Sequence, residues 1–138
     1  MGNTPRPTFH PLIVEDDPNF ALILARTLEW LGVPSGQIVA CPDAEAAMGR
    51  LAQDGWTPTF AILDLHLPQR SGLELLEWIR STPKLEKLAV FFLTSNQEPE
   101  RVARAFALRA AAYFVKPMGL KALTGVVEGI LGHVLVVP

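Results

Sequence analysis

The residues of this chain that could do chemistry share one position: each follows a short apolar run. Glu15 and Asp16 follow Leu12-Ile13-Val14, and Asp64 follows Phe60-Ala61-Ile62-Leu63. Thr94 and Ser95 end Ala89-Val90-Phe91-Phe92-Leu93, and Lys116 ends Ala111 to Val115. Carboxylates brought to one place repel, and something positive must relieve them. A carboxylate pair with a backbone carbonyl and waters suits a hard divalent cation, Mg²⁺. Lys116 adds a mobile point charge and Thr94 a hydroxyl donor. Such a set suits neutralising charge on a transferring phosphoryl group, where positioning and electrostatics do most of the work. The remaining carboxylate, Asp64, is then available as a nucleophile that carries the phosphoryl group.

Taken singly, each residue has a plainer reading. Glu15-Asp16-Asp17 reads as a helix N-cap cluster, Asp64 as a strand-ending cap, Lys116-Pro117 as a loop lysine and Thr94 as a strand-end hydroxyl. The elements around them decide the matter. A short apolar run bounded by turn residues reads as a buried strand. Five such strands are expected: Leu12–Val14, Gln37–Cys41, Phe60–Leu63, Ala89–Thr94 and Ala111–Val115. Between and after them fall five helical patterns. Pro18 behind three acids starts the first, with Phe20, Leu24, Leu28 and Leu31 on one face. Pro42-Asp43 opens the second, through Ala44, Ala47, Met48 and Leu51. The third runs from Gly72 to Ser81, the fourth starts at Pro99, and the fifth uses Leu120, Leu123, Val127, Ile130 and Leu131. Strands alternating with helices predict an α/β, doubly wound parallel sheet covered on both faces. The order 2-1-3-4-5 is favoured. In that order the carboxyl ends of the strands, where ligands bind in open α/β sheets, bring the residues above to one cleft.

Composition narrows the classes. The chain has 138 residues, is 49% hydrophobic, and carries net charge −2, which suits one folded domain without a basic footprint for nucleic acid. Its single cysteine, Cys41, excludes an internal disulfide and suits a reducing cytoplasm. No apolar run approaches the roughly 20 residues of a membrane span. The opening residues carry Pro5, Pro7 and Pro11 and lack the apolar stretch of a signal peptide. The expected layout is a loose N-terminal arm (1–10), a domain over 11–131 and an apolar C-terminal tail (132–138).

The motifs Ile13-Val14-Glu15-Asp16-Asp17-Pro18, Leu63-Asp64-Leu65-His66-Leu67-Pro68 with Ser71-Gly72, Phe92-Leu93-Thr94-Ser95, and Tyr113-Phe114-Val115-Lys116-Pro117 resemble those of receiver domains of bacterial two-component response regulators. The chemotaxis regulator, with its flavodoxin-like fold, is the minimal form. The resemblance covers residues of about 11 to 131, essentially the whole chain. It implies that Asp64 accepts a phosphoryl group from a sensor histidine kinase. It implies Mg²⁺ on Asp16, Asp64 and the backbone carbonyl of His66, with Glu15 acting mainly through a metal-bound water. Thr94 would hydrogen-bond the phosphoryl oxygen, Lys116 would pair with the acids at rest and with the phosphoryl group afterwards, and Tyr113 would be the ring that moves inward. His66 and Asn96 stand at positions that tune phosphoryl lifetime. The Lys116–Pro117 bond is expected to be cis, aiming the lysine into the cleft. The ring of His66 is read as a lone surface imidazole rather than a ligand.

One departure stands out: family members usually have Gly-Ala before the fifth strand, whereas this chain has Arg109-Ala110-Ala111-Ala112. With no further domain read in the sequence, the output is expected through the fourth helix, fifth strand and fifth helix. Val102, Ala103, Phe106 and Ala107 make that fourth helix look unusually apolar. The tail Gly132–Pro138 is expected to dock across a two-fold partner, giving a homodimer. The tail and Leu76–Leu85 resemble the single-domain regulators paired with bacterial phytochromes. Two other classes compete. A haloacid-dehalogenase-type phosphatase also uses an aspartate nucleophile and Mg²⁺, but needs a second Asp where this chain has His66, and a cap domain. An unphosphorylated receiver-like binding module would usually lack an acid, the acceptor or the lysine.

Overall fold

The structure is a computed structural model, and it describes residues 8–136, with only the backbone of Val136. Most of the expected N-terminal arm and the end of the expected tail, residues 1–7 and 137–138, lie outside the described residues. Five strands form one parallel sheet: β1 (Pro11–Val14), β2 (Val39–Cys41), β3 (Phe60–Leu63), β4 (Ala89–Thr94) and β5 (Ala112–Val115). Their order is β2-β1-β3-β4-β5, the expected one. Five α-helices connect or follow them: α1 (Pro18–Trp30), α2 (Ala44–Leu51), α3 (Gly72–Ser81), α4 (Pro99–Ala107) and α5 (Leu120–Val136).

The period-two alternation of a strand splits the core in two. Leu12, Val14, Ala61, Leu63, Val90 and Phe92 face one side and pack on Ala44, Ala47 and Leu51 of α2 and Leu75, Leu76 and Ile79 of α3. Ile13, Phe60, Ile62, Phe91 and Leu93 face the other and pack on Leu24 and Leu28 of α1 and Leu123, Val127 and Ile130 of α5. Nearly continuous apolar strands are what burial on both faces requires.

Local chemistry sets the helix starts beside the site. Asp17 caps α1, its carboxylate accepting from the Asn19 N–H at 2.9 Å, with Pro18 as the first helical residue. Ser71 caps α3 by accepting from the Glu74 N–H at 3.2 Å. The next residue must be glycine. A Cβ on Gly72 would overlap the backbone carbonyl oxygen of Asp64, so only a bare Cα lets α3 start this close to the end of β3.

Three expectations change. Residues 132–136 continue α5 instead of forming a separate tail: Val134 packs on the core, and the His133 ring meets Phe91 edge-on at 5.3 Å. Helix α4 is two-faced rather than apolar throughout. Ala105 is its fully buried residue, Phe106 is 50% exposed, and Glu100, Arg101 and Arg104 share the short helix. Lys116–Pro117 is trans, for no peptide bond among the described residues is cis. The Lys116 N–H donates to the Thr94 carbonyl at 2.9 Å, so the backbone is still tied to β4 where the lysine leaves the sheet.

The missing glycine before β5 has a local consequence. Arg109 sits at φ 62, in the left-handed region that glycine fills without strain. Arg80 holds this turn in place. Its guanidinium donates to the carbonyls of Leu108 (2.8 Å), Arg109 (2.9 Å), Glu86 (3.0 Å) and Leu88 (2.8 Å). Burial, with the charge of Arg109 beside it, pulls the Arg80 pKa down. Arg109→Gly removes both the strained backbone and the like charge while keeping the carbonyl. It is expected to stabilise the fold by about 1 kcal/mol, the strain relieved exceeding the entropy glycine adds to the unfolded chain. A urea midpoint that stays put or falls would refute this.

Candidate functional site

The sheet register brings the carboxyl ends of β1, β3 and β4 side by side. Val14 pairs with Leu63, and Leu63 with Phe92. The residues that follow therefore emerge together. Asp64 is anchored by its N–H to the Val14 carbonyl (3.0 Å), and Glu15 by its N–H to the Cys41 carbonyl (3.1 Å). Glu15 and Asp64 are buried, at 4% and 5% exposure, whereas Asp16 faces solvent. Carboxylate oxygens of Glu15, Asp16 and Asp64 lie within 4.8 Å of one another.

Lys116 reaches this cluster from β5. Its Nζ is 2.7 Å from Glu15 Oε1 and 3.0 Å from Asp64 Oδ2. The other oxygens of these acids are held by backbone donors: Asp17 N–H to Glu15 Oε2 at 3.0 Å, and His66 N–H to Asp64 Oδ1 at 3.2 Å. One lysine cannot compensate two buried acids. Burial pushes the Glu15 carboxyl up from 4.5 to about 7; the Lys116 hydrogen bond and the Asp17 N–H pull it back, and the charge of Asp64 adds to the rise. Burial also works against the Lys116 ammonium, but its hydrogen bonds to Glu15 and Asp64 and their charges outweigh that, leaving its pKa above the usual lysine range. Hard oxygen donors, close together and short of positive charge, suit a divalent cation.

A second group of residues connects to this cluster through Asn96. Thr94 is fully buried, and its Oγ1 accepts from the Asn96 N–H at 3.3 Å. The Tyr113 hydroxyl donates to the Asn96 carbonyl at 2.7 Å, and its ring lies 5.6 Å from that of Phe92. The Asn96 amide oxygen accepts from the Glu98 N–H at 2.8 Å, which leaves Nδ2 to face His66 Nε2 at 2.9 Å. That contact links the imidazole to the amide side chain across the cleft. His66 is exposed, as expected, but not alone: its ring has a partner on the β4–α4 loop. The expected residues Glu15, Asp16, Asp64 and Lys116 form one cluster. Thr94, Asn96, Tyr113 and His66 form a network beside it.

Sequence reasoning missed two participants. Phe20 reads as a core residue of α1, yet its ring centre lies 4.5 Å from Lys116 Nζ. Glu98 reads as a loop acid, yet its backbone N–H and Oε1 hold both ends of the Asn96 amide. Its place in the first helical turn after the acid pair puts Phe20 near the cluster, but does not tell a ring over the lysine from a ring in the core.

The raised Glu15 pKa sets a pH dependence. A carboxyl whose pKa is raised by folding supports stability below its unfolded value, 4.5, and that support is lost as pH rises through about 7. In the presence of a chelator the protein is expected to be more stable at pH 6 than at pH 8, by about 1 kcal/mol. Glu15→Gln is expected to flatten this slope. Urea midpoints across the range check it, and equal slopes in both proteins would refute it.

Comparisons with known proteins agree with this geometry. The family model described as the response regulator receiver domain matches residues 12–128. The "Probable methanogenesis regulatory protein FilR2" of Methanothrix harundinacea is 32% identical over 123 residues, covering 86% of this chain and 79% of that protein. Response regulator Rcp1 of Synechocystis is 29% identical over 135 residues, covering 94% of this chain and 91% of its own. The phosphorylated cyanobacterial phytochrome response regulator RcpA superposes with a TM-score of 0.84 at 26% identity, covering 94% of this chain and 96% of that one. The Mn²⁺-bound form of Rcp1 does so with a TM-score of 0.77 at 29% identity, covering 87% and 89%. Among the described residues no helix is long and apolar enough to cross a membrane. The chain belongs to the response regulator receiver domain family, the phosphoaccepting signalling modules of two-component systems.

Proposed function

We propose that Asp64 is the phosphoacceptor and that the donor is a sensor histidine kinase. The observation that carries this is the Lys116–Asp64 contact at 3.0 Å inside a cluster of three carboxylates. An Asp64 carboxylate oxygen attacks the donor phosphorus. The new O–P bond forms as the phosphorus–nitrogen bond of the phosphohistidine breaks, and the imidazole leaves with the electron pair. Asp16, Asp64 and the His66 backbone carbonyl would hold Mg²⁺, with Glu15 acting through a bound water, and the ion would supply the charge neutralisation that a transferring phosphoryl group needs. Lys116 is already paired with Asp64 and follows the new negative charge without a long movement. Thr94 turns its hydroxyl from the Asn96 N–H toward the phosphoryl oxygen, and Tyr113, hydrogen-bonded to the same residue, responds. The His66–Asn96 contact joins the β3 and β4 ends of the cleft, and sets how long the phosphoryl group lasts by limiting approach of water.

A phosphatase of the haloacid-dehalogenase type is disfavoured: the residue two after Asp64 is His66, where that chemistry needs a second aspartate as general acid. A silent binding module is disfavoured by the intact lysine and acids. Incubation with Mg²⁺ and acetyl phosphate, followed by intact-mass measurement, is expected to show one labile phosphoryl adduct that Asp64→Asn abolishes. An adduct persisting in that variant, or none in the unsubstituted protein, would overturn the assignment.

The output reading is a cytoplasmic homodimer through α4, β5 and α5, with a bacteriophytochrome as a candidate kinase. Its support is the likeness to RcpA and the exposed apolar side chains Phe106 (50%), Val115 (41%) and Leu135 (56%). Sedimentation is expected to show concentration-dependent dimers that Phe106→Asp breaks. A monomer at high concentration, with and without a phosphoryl mimic, would overturn it.

A further inference from the structure

Lys116 has a close neighbour that carries no charge, the ring of Phe20. Its Nζ lies 4.5 Å from the centre of the Phe20 ring, while the same ammonium reaches Glu15 Oε1 at 2.7 Å and Asp64 Oδ2 at 3.0 Å. Phe20 sits in the first turn of α1, the helix that Asp17 caps immediately after the two acids. The turn that delivers Glu15 and Asp16 therefore also delivers an aromatic ring. Phe20 also lines an open hollow of about 320 Å³ with Ile23, Pro117, Gly119, Leu120 and Leu123.

The chemistry of this contact differs from that of the acids. The ring's negative π-face attracts the ammonium without being a strong hydrogen-bond acceptor. It fixes the position of the charge and leaves the N–H donors free to move from Glu15 to a new oxygen. A carbonyl or carboxylate in the same place would compete for those donors. A flat ring against the ammonium also restrains a charge carried on a flexible four-carbon stem. Phe20 is only partly buried against the core, a packing role that leucine would also serve.

We propose that Phe20 is a positioning residue for phosphoryl acceptance: its π-face holds Lys116 over Glu15 and Asp64. The proposal rests on the reading of Asp64 as phosphoacceptor. The test replaces Phe20 with mono-, di- and trifluorophenylalanine, which keep the ring's shape while draining its face of negative charge, and with leucine. Two quantities are read: the exchange of the Lys116 ammonium protons with water by ¹⁵N NMR, and the rate at which the Asp64 adduct forms from acetyl phosphate. Ammonium exchange is expected to rise stepwise along the series, about tenfold from Phe to trifluoro-Phe. Adduct formation is expected to slow in parallel, with little change in the donor concentration for half-maximal rate. Exchange that stays flat along the fluorinated series overturns the proposal. So does exchange that rises while the adduct rate holds. If the unsubstituted protein takes up no phosphoryl group on Asp64, the phosphoacceptor reading fails and this role in acceptance falls with it; the ammonium exchange would still show whether the ring holds the lysine.

Discussion

The site depends on a single ammonium placed between two buried carboxylates. Lys116 comes from β5, and the acids from the ends of β1 and β3. The strand order puts β4 between β3 and β5, so the lysine must return across the end of β4 to reach Asp64. Its backbone is tied there by the Lys116 N–H to the Thr94 carbonyl. Thr94, the last residue of β4, thus stands in sheet order between the acceptor and the lysine. A parallel sheet is a suitable frame for this, since all its strands deliver their carboxyl ends to one edge. Gly72 completes the frame by letting α3 start against the Asp64 carbonyl, which fixes the acceptor from behind.

The same frame explains how a local change can reach the surface. Asn96 hydrogen-bonds Thr94 through its N–H, Tyr113 through its carbonyl, and His66 and Glu98 through its amide. Glu98 is the residue from which α4 begins. The other end of α4 is held by Arg80, which grips the carbonyls of Leu108 and Arg109. One end of the helix is therefore tied to hydrogen bonds that a phosphoryl group would compete for, and the other to bonds far from the cleft. Movement of Thr94 has its shortest route outward through Asn96 and the start of α4. The strained backbone at Arg109 lies at the held end, where four charge-assisted hydrogen bonds offset it.

Element positions and the four acidic and basic groups of the cluster were legible in the sequence because each depends on local signals: apolar runs, proline and acid starts, and the residue just past each strand; strand order is not in that pattern and was favoured only as one of the two common doubly wound orders. The details that escaped depend on tertiary approach. Nothing in the pattern around Phe20 distinguishes a ring over a lysine from a ring in the core. The His66–Asn96 contact joins residues thirty apart, and neither motif announces the other. The continuation of α5 through 132–136 was hidden by its apolar composition, which reads equally as a loose end; the packing of Val134 and the edge-on contact of His133 with Phe91 settle it as helix. The trans bond before Pro117 was missed for a different reason, since proline permits both isomers and the chain context chooses.

Charge balance is what makes the cluster responsive rather than merely stable. With its carboxylates ionised, Lys116 leaves two negative charges in a largely buried place, and Glu15 answers by holding its proton to about pH 7. A divalent cation would complete neutrality. Phosphorylation of the acceptor would then add negative charge again. Each state therefore leaves a deficit that the next cation, proton or hydroxyl donor can fill. A hydrophobic replacement of this cluster would be more stable but would have no such succession of states. Among the described residues the lysine is the one cation that pairs with the cluster, so its freedom to change partner without leaving the cleft is the property the surrounding residues have to protect.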